Sequence, residues 1–204
     1  MKLIGQSFEI LKFDYEPEKL IELAGRTCYK SEDKITKDSA NRFVRGLIKS
    51  GHHSVIEHAN ATVRFITNRG VTHELVRHRL ASYSQESTRY CNYGGQEMEF
   101  IKPVWYDGST QKQQDYFVAS CIDAEIAYNR LLKYGWKPEQ AREVLPNALK
   151  TEIVVTANFR EWWHIFKLRC SKAAHPQIRA LMIACRDEFI SRSPVCFWDL
   201  LSEV

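Results

Sequence analysis

The apolar and polar positions of the chain follow two different periods. Residues 59–67 carry an apolar side chain at every second position, which predicts a strand with one buried face. Residues 37–50 repeat apolar side chains at helical spacing, and Gly51 provides the stop. A turn is expected at residues 68–70 and a short helix at 71–79. The pattern therefore predicts both helices and strands.

The remaining segments are also predicted to be a mixture of helices and strands. Residues 80–96 are expected to form a loop, because their apolar side chains follow neither the helical nor the strand spacing. Extended structure is predicted at 2–14, 97–103 and 150–157, and helices at 17–29, 111–134, near Pro138, and at 158–170, 176–191 and 195–202. About four strands without regular strand–helix alternation favour an α+β fold over a doubly wound sheet. We expect a central, mostly antiparallel sheet packed with helices. No linker-like stretch divides the chain, so a single domain over residues 1–204 is predicted, although the length leaves a second small lobe as an alternative.

Composition narrows the class of protein only slightly. The apolar share of 44% and the charged share of 26% are ordinary for a soluble globular protein. The net charge of +4 indicates either a solvated basic surface or cations that line a site for an anionic ligand. The sequence has no secretory signal, no membrane-spanning run and no C-x-x-C pair, which predicts a cytoplasmic protein whose six cysteines are thiols.

The densest polar cluster lies at residues 77–90, where Arg77, His78 and Arg79 are consecutive. On a helix these side chains would point in different directions. Arginine forks suit phosphate and carbonyl oxygens, although cations at a helix end also complement the helix dipole. No G-x-G-x-x-G or P-loop motif is present, so neither standard nucleotide-binding loop is available.

A second cluster lies at residues 51–58, which contain three histidines and one glutamate. This composition invites a metal site, but the spacing is not that of H-E-x-x-H and no C-x-x-C supports it. A loop that contacts a ligand and a purely structural cap remain as alternatives.

A third cluster lies at residues 158–170, where Trp162, Phe166 and Arg169 share one face of the predicted helix. The Arg169 guanidinium either pairs with a buried carboxylate or is directed into a site. Arg160 and His164 point to another side of this helix. Upstream, Arg142 near a helix end is a further candidate for a phosphate contact; all of these residues are read from the sequence.

These clusters resemble the flavin-dependent thymidylate synthases. The run Arg77-His78-Arg79, followed after seven residues by Ser87, matches the R-H-R-x7-S signature of that family. Further similar motifs extend the resemblance over about residues 50–170 in the order of the family: Gly51-His52 through Glu57-His58, Arg142 with Leu145-Pro146, Asn158-x-Arg160, and Leu168-Arg169.

The resemblance implies a homotetramer whose active sites are built from several subunits, with no metal. The implied FAD contacts are His52, Ser54, Arg77, His78, Arg79, Gln85, Asn158, Arg160 and His164. The implied dUMP contacts are Glu74, Arg77, Gln85, Glu86, Ser87, Arg89, Arg142 and Arg169.

The resemblance also implies the reaction: dUMP, methylenetetrahydrofolate and NADPH give dTMP and tetrahydrofolate, with FAD as hydride carrier. Arg169 is the candidate catalytic residue, because a cation beside the uracil ring stabilises negative charge that develops there. Ser87 is interpreted as a binding residue, since no sequence pattern near it activates a hydroxyl. Cys196 is expected to be a small core residue rather than a nucleophile.

Two other functions compete with this one. A nucleotide- or nucleic-acid-binding module would use the arginines and aromatic residues, but the modest charge and the absence of a known motif argue against it. A metal hydrolase would use His52, His53 and His58.

Overall fold

The computed structural model describes residues 1–202, and of residues 201 and 202 only the backbone. The strands are β1 (Lys2–Ile4), β2 (Ser7–Phe13), β3 (Asn60–Asn68), β4 (Ala81–Gln85), β5 (Glu99–Ile101) and β6 (Lys150–Asn158). The α-helices are α1 (Pro17–Thr27), α2 (Ser39–Lys49), α3 (Arg69–Leu75), α4 (Gln111–Lys133), α5 (Pro138–Ala141), α6 (Phe159–Arg169) and α7 (Pro176–Arg192). Short 3-10 helices cover Glu32–Lys34, His53–His58, Arg142–Val144 and Trp198–Ser202. The predicted mixture of helices and strands is confirmed.

The strands form a four-stranded sheet in the order β2-β3-β6-β4 and a two-stranded sheet in which β1 and β5 are parallel. The backbone N–H of Asp14, beyond the end of β2, donates to the Asn60 carbonyl at the start of β3 (3.2 Å). The N–H of Phe159, beyond β6, donates to the Ala59 carbonyl, which precedes β3 (2.8 Å). Because the end of each neighbour meets the start of β3, β3 is antiparallel to both, as predicted for the larger sheet.

Strands β3 and β6 share one local design. Each has nine residues with every second side chain buried, and each ends in an asparagine that caps the next helix. The Oδ1 of Asn68 accepts from the Val71 N–H, and the Oδ1 of Asn158 accepts from the Glu161 N–H, both at 2.9 Å. Each asparagine thus satisfies one of the unpaired donors of a helix start.

Three predicted segments, at residues 68–70, 71–79 and 80–96, differ from the structure. The turn expected at residues 68–70 is the start of α3, because Asn68 caps the helix at Arg69. The helix then ends at Leu75, whose carbonyl accepts from the Tyr83 hydroxyl (2.9 Å), so the arginine–histidine run lies beyond it. Residues 80–96 were expected to be a loop, but they contain β4. An edge strand needs few apolar residues, because it can expose much of its surface to water.

Contacts group the described residues into two compact units. Unit 1 comprises residues 1–7, 65–77 and 83–154, and unit 2 comprises residues 8–64, 78–82 and 155 onwards. The single domain over residues 1–204, of which 203 and 204 lie outside the described residues, stays a prediction.

Each unit has a buried core of its own. In unit 1 the core contains Met98, Phe100, Cys121, Tyr128, Ala141 and Leu149. In unit 2 it is largely aromatic: the ring of Phe189 lies 5.1 Å from those of Trp162 and Phe166 and 5.5 Å from that of Phe197, measured between centroids. Such pairs each contribute about 1 kcal/mol beyond the burial of their surface. These cores hold α4 and β5 in unit 1, and α6 and α7 in unit 2.

The cysteines are all free thiols, as predicted, and four of the six are buried. Cys196 is fully buried, which confirms it as a core residue, and burial raises its pKa to about 12. A thiol with that pKa is protonated near neutral pH and is therefore a poor nucleophile. No helix among the described residues has the length and apolar character needed to cross a membrane.

Candidate active site

The arginine–histidine run places one buried imidazole between two exposed guanidinium groups. His78 is only 4% exposed, whereas Arg77 and Arg79 are exposed. The run lies beyond the end of α3, so its three side chains diverge because of an irregular backbone and not because of helical rotation. Among the described residues, the side chains of Arg77 and Arg79 have no hydrogen bond or ion pair, which leaves both groups available to an anion.

His78 and Arg169, which both belong to unit 2, are joined by a side-chain hydrogen bond. The Nε of Arg169 donates a hydrogen bond to the Nε2 of His78 at 3.0 Å. Burial, then the positive charge of Arg169 and that of His164, lower the pKa of His78 to about 4. His78 is therefore neutral near pH 7, and its Nε2 is an acceptor, which places its proton on Nδ1. A neutral His78 orients the Arg169 guanidinium without adding a second charge.

Glu161 is the buried carboxylate of this cluster, and it was not among the predicted site residues. Its Oε1 lies 3.8 Å from the Nδ1 of His78, and its side chain is 7% exposed. Because His78 is neutral, this contact is a dipolar one and not a salt bridge. Burial raises the pKa of Glu161, although the charge of His164 opposes the change. Nothing in the local sequence distinguishes Glu161 from an exposed first-turn glutamate.

Other predicted flavin contacts lie around α6. The ring of His164 is 5.6 Å from that of His78, in an edge-to-face arrangement. Arg160 forms an ion pair with Glu57 of the 3-10 helix His53–His58, which brings α6 and this helix together. Asn158 uses its Oδ1 as the helix cap, so only its amide N–H groups remain for a ligand.

The histidines of the histidine-rich segment differ in their surroundings. His52 directly precedes the 3-10 helix, and both His52 and Ser54 are exposed. His53, by contrast, is partly buried and packs its ring against that of Trp163, with 5.4 Å between the centroids. No group of three histidine, cysteine, aspartate or glutamate side chains in the described part of the chain could hold a metal ion.

In unit 1, the segment after β4 brings together residues that are far apart in sequence. We call residues 87–92 the Ser87 loop. Within it, the Arg89 Nε donates to Glu139 (3.0 Å), and Arg142 reaches the buried Thr88 hydroxyl (3.3 Å). Arg142 also pairs with Glu143 (3.7 Å), so both arginines have a carboxylate partner, and a phosphate would have to compete with these partners for the two guanidinium groups. The Ser87 hydroxyl accepts from the Arg89 N–H (3.3 Å), and no carboxylate or imidazole among the described residues bonds to it.

Two further residues assigned to the nucleotide are Gln85, the last residue of β4, and Glu74, in α3. The amide of Gln85 donates to the hydroxyls of Thr72 (3.0 Å) and Thr151 (3.2 Å), which fixes its orientation. Glu74 is partly buried. Glu86 accepts a hydrogen bond from the Tyr93 hydroxyl (2.7 Å) and pairs with Lys150 (3.4 Å). Tyr93 and Lys150 were not predicted, because they lie 7 and 64 residues from Glu86 and only the fold brings the three side chains together.

Several known proteins are similar to this chain over most of its length. Residues 9–195 match the family model described as "Thymidylate synthase complementing protein". A flavin-dependent thymidylate synthase of Geobacter sulfurreducens is 38% identical over 181 residues, which cover 85% of this chain and 78% of that protein. One of Corynebacterium efficiens is 38% identical over 205 residues, covering 91% of this chain and 80% of that protein.

A solved structure has a similar fold. The crystal structure of a UMP/dUMP methylase, PolB, from Streptomyces cacaoi bound with 5-Br dUMP has a TM-score of 0.81 and 24% identity, covering 97% of this chain and 95% of that one. At this identity the likeness concerns the fold. The family model and the two relatives cover most of the sequence, and on that ground the chain belongs to the family of flavin-dependent thymidylate synthases.

Proposed function

We propose that the chain catalyses the reductive methylation of dUMP to dTMP, with methylenetetrahydrofolate as one-carbon donor and NADPH as reductant through bound FAD. Membership of the family makes the chain a flavin-dependent methyltransferase. The similar fold of the Streptomyces enzyme, whose crystal structure contains a dUMP analogue, supports dUMP as the nucleotide.

The donor groups on the chain fit a flavin nucleotide. The exposed Arg77 and Arg79 offer guanidinium forks to phosphate or carbonyl oxygens, and the Asn158 amide retains its N–H donors. The residues assigned to FAD are His52, Ser54, Arg77, His78, Arg79, Gln85, Asn158, Arg160 and His164. When bound, the flavin supplies hydride transfer, and the protein's part is to bind and orient it.

The nucleotide is assigned to the Ser87 loop and its neighbours. Arg89 and Arg142 supply the positive charge that a monophosphate requires. The full assignment comprises Glu74, Arg77, Gln85, Glu86, Ser87, Arg89, Arg142 and Arg169. Ser87 binds and is not a nucleophile, because no base in the described part of the chain bonds to its hydroxyl.

Arg169 is the proposed catalytic residue, and its hydrogen bond to His78 is the observation that supports this role. Carbon 5 of uracil becomes nucleophilic when negative charge develops on the N3–O4 side of the ring. A guanidinium held in one orientation stabilises that charge without reorganising during the reaction. The buried and neutral His78 provides this orientation through its Nε2.

The assembly and location are part of the same proposal. We assign the enzyme to a homotetramer in which several subunits contribute to each active site. We place it in the cytoplasm, where its six free thiols stay reduced.

A visible absorption spectrum of the purified protein tests this function. We expect a flavin spectrum that bleaches on anaerobic addition of NADPH, faster with dUMP present, and formation of dTMP when methylenetetrahydrofolate is added. A colourless protein that takes up no FAD would contradict the proposal. The variant Arg169→Ala should retain flavin but lose about 100-fold or more in kcat. Full activity of that variant would remove the role assigned to Arg169.

A further inference from the structure

The two ends of the Ser87 loop are joined by a side-chain hydrogen bond. Glu86 precedes the loop and Tyr93 follows it, and the Tyr93 hydroxyl donates to the Glu86 Oε1 at 2.7 Å. Burial in the first place, and then the bond to Glu86, raise the pKa of Tyr93. The phenol therefore keeps its proton and remains a donor throughout the neutral range.

The same glutamate is attached to β6. Its Oε2 lies 3.4 Å from the Lys150 Nζ, and this ammonium group also contacts Glu152 at 2.7 Å. The backbone N–H of Glu86 donates to the carbonyl of Glu152 at 2.9 Å. The side chains of Glu86 and Lys150 are each only 18% exposed, so solvent weakens their attraction less than it would at the surface. We call Glu86, Tyr93 and Lys150 the clasp.

The interior of the loop is organised by its own backbone. The N–H groups of Tyr90 and Cys91 donate to the Ser87 carbonyl at 3.2 and 2.9 Å, and the Arg89 N–H donates to the Ser87 hydroxyl. These bonds set the shape of the loop, but they do not connect it to the sheet. The clasp makes that connection at the loop's base, together with the backbone bond between Glu86 and Glu152.

We propose that Glu86, Tyr93 and Lys150 are positioning residues, which hold the Ser87 loop in the orientation that binds the nucleotide phosphate. This inference rests on the proposed function, because Ser87 and Arg89 are assigned there to dUMP. Glu86 then has two parts, as a residue assigned to dUMP and as the acceptor of the clasp. Binding groups must be held to within about an ångström by supporting residues, so loss of the clasp weakens nucleotide binding although every dUMP contact is still present.

The geometry allows the clasp to be opened with little damage to the fold. A cavity of about 340 Å³, lined in part by Glu86, Tyr93 and Lys150, lies beside it. Water can therefore reach the Glu86 carboxylate when the phenol hydroxyl is removed. The variant Tyr93→Phe keeps the ring, which packs against Tyr128 at 6.1 Å between centroids.

The test compares Tyr93→Phe with Tyr106→Phe in the flavin-loaded enzyme. Tyr106 is a matched control, since its ring also packs against an aromatic side chain, Phe117, and its hydroxyl has no hydrogen bond among the described residues. We expect Tyr93→Phe to raise the Kd and KM for dUMP about tenfold, with kcat at saturating dUMP and flavin content unchanged. Tyr106→Phe should match the wild type in all four quantities.

A second pair of variants tests the charge of the clasp. Lys150→Met should weaken dUMP binding as Tyr93→Phe does, whereas Lys150→Arg should restore most of it because a cation is retained. Since both positions act on Glu86, the double variant Tyr93→Phe/Lys150→Met should lose less affinity than the product of the single effects.

Two results would overturn the clasp as a positioning device. One is wild-type dUMP affinity in Tyr93→Phe. The other is a parallel loss of flavin, kcat and thermal stability in the same variant, which would indicate a role in the fold alone. Failure of the proposed function is distinguishable, because the wild-type enzyme itself would then fail to bind dUMP, and there would be no nucleotide to position.

Discussion

At the scale of single residues, the most informative group is the neutral imidazole of His78. Its Nε2 accepts from Arg169 and its Nδ1 faces the buried Glu161, so a proton added to the ring would have to displace the contact with the guanidinium. The ring of His164 lies on another side of it. Protonation would place a second positive charge beside the Arg169 guanidinium. The cluster therefore couples the protonation of one residue to the orientation of the proposed catalytic arginine.

This coupling predicts a loss of stability at mildly acidic pH. The unfolded chain binds a proton on His78 near the ordinary pKa of 6.5, while the folded chain does so only near 4. The contribution of neutral His78 to the free energy of unfolding is therefore fully present above pH 6.5 and is lost as the pH falls towards 4. Between pH 7 and pH 5 the free energy of unfolding should fall by about 2 kcal/mol. Urea unfolding at these two values of pH measures it.

The control for this prediction is His78→Gln, which can still accept from Arg169 but does not titrate. The pKa of Glu161 is raised, which gives a pH dependence of the opposite sign, but Glu161 is present in both proteins and largely cancels in the comparison. The wild type should lose more stability than the variant on acidification. Equal losses would mean that His78 does not titrate as described.

At the scale of elements, the regular segments were predictable and the irregular ones were not. Strand β3 was predicted from the alternation of its apolar side chains, and β6 from the isoleucine, valine and threonine content of residues 150–157. The start of α3 was missed because Asn68 was interpreted as a turn residue when it is a helix cap. Strand β4 was missed because its sequence, ASYSQ, is polar, and its pairing comes from the backbone.

The candidate site follows the same division. The arginine–histidine run and Ser87 were visible because they are adjacent or share a fixed spacing. The bond between His78 and Arg169, by contrast, joins residues 91 positions apart, and only the fold brings them together. Tyr93 and Lys150 gave no signal, because a buried hydrogen-bond partner has no local pattern of its own.

The paired caps lead to a prediction at this scale. Asn158→Ala and Asn68→Ala should each cost about 1 kcal/mol in free energy of unfolding, because each leaves an N–H at a helix start without its acceptor. Serine is an equally good cap without amide donors. Asn158→Ser should therefore retain stability but bind FAD less tightly, as measured by flavin per chain after dialysis.

Asn68→Ser is the matched control, since it changes the same cap in front of α3, where no flavin contact is assigned. It should retain both stability and flavin. Normal flavin content in Asn158→Ser would restrict Asn158 to its capping role and remove it from the proposed flavin site.

At the scale of the whole molecule, the proposed function requires residues that the sequence distributes over distant segments. Arg142 lies before β6 in unit 1, and Arg169 lies at the end of α6 in unit 2. Both are assigned to dUMP. In a homotetramer with shared active sites, these two arginines need not come from the same chain, because symmetry presents each surface several times.

Subunit complementation tests this arrangement. Arg142→Ala and Arg169→Ala should each be nearly inactive alone, the first through weak dUMP binding and the second through a low kcat at saturating dUMP. When the two variants are co-expressed with different tags and purified through both, chains mix within one tetramer. If each site takes its two arginines from different subunits, about a quarter of the sites regain both, and thymidylate formation returns in proportion.

Wild-type chains carrying the two tags give the reference activity, and the two variants mixed after purification control for exchange. Mixed tetramers that stay as inactive as the parents would place both arginines of a site on one chain, and a monomer in sedimentation velocity would contradict the assembly itself.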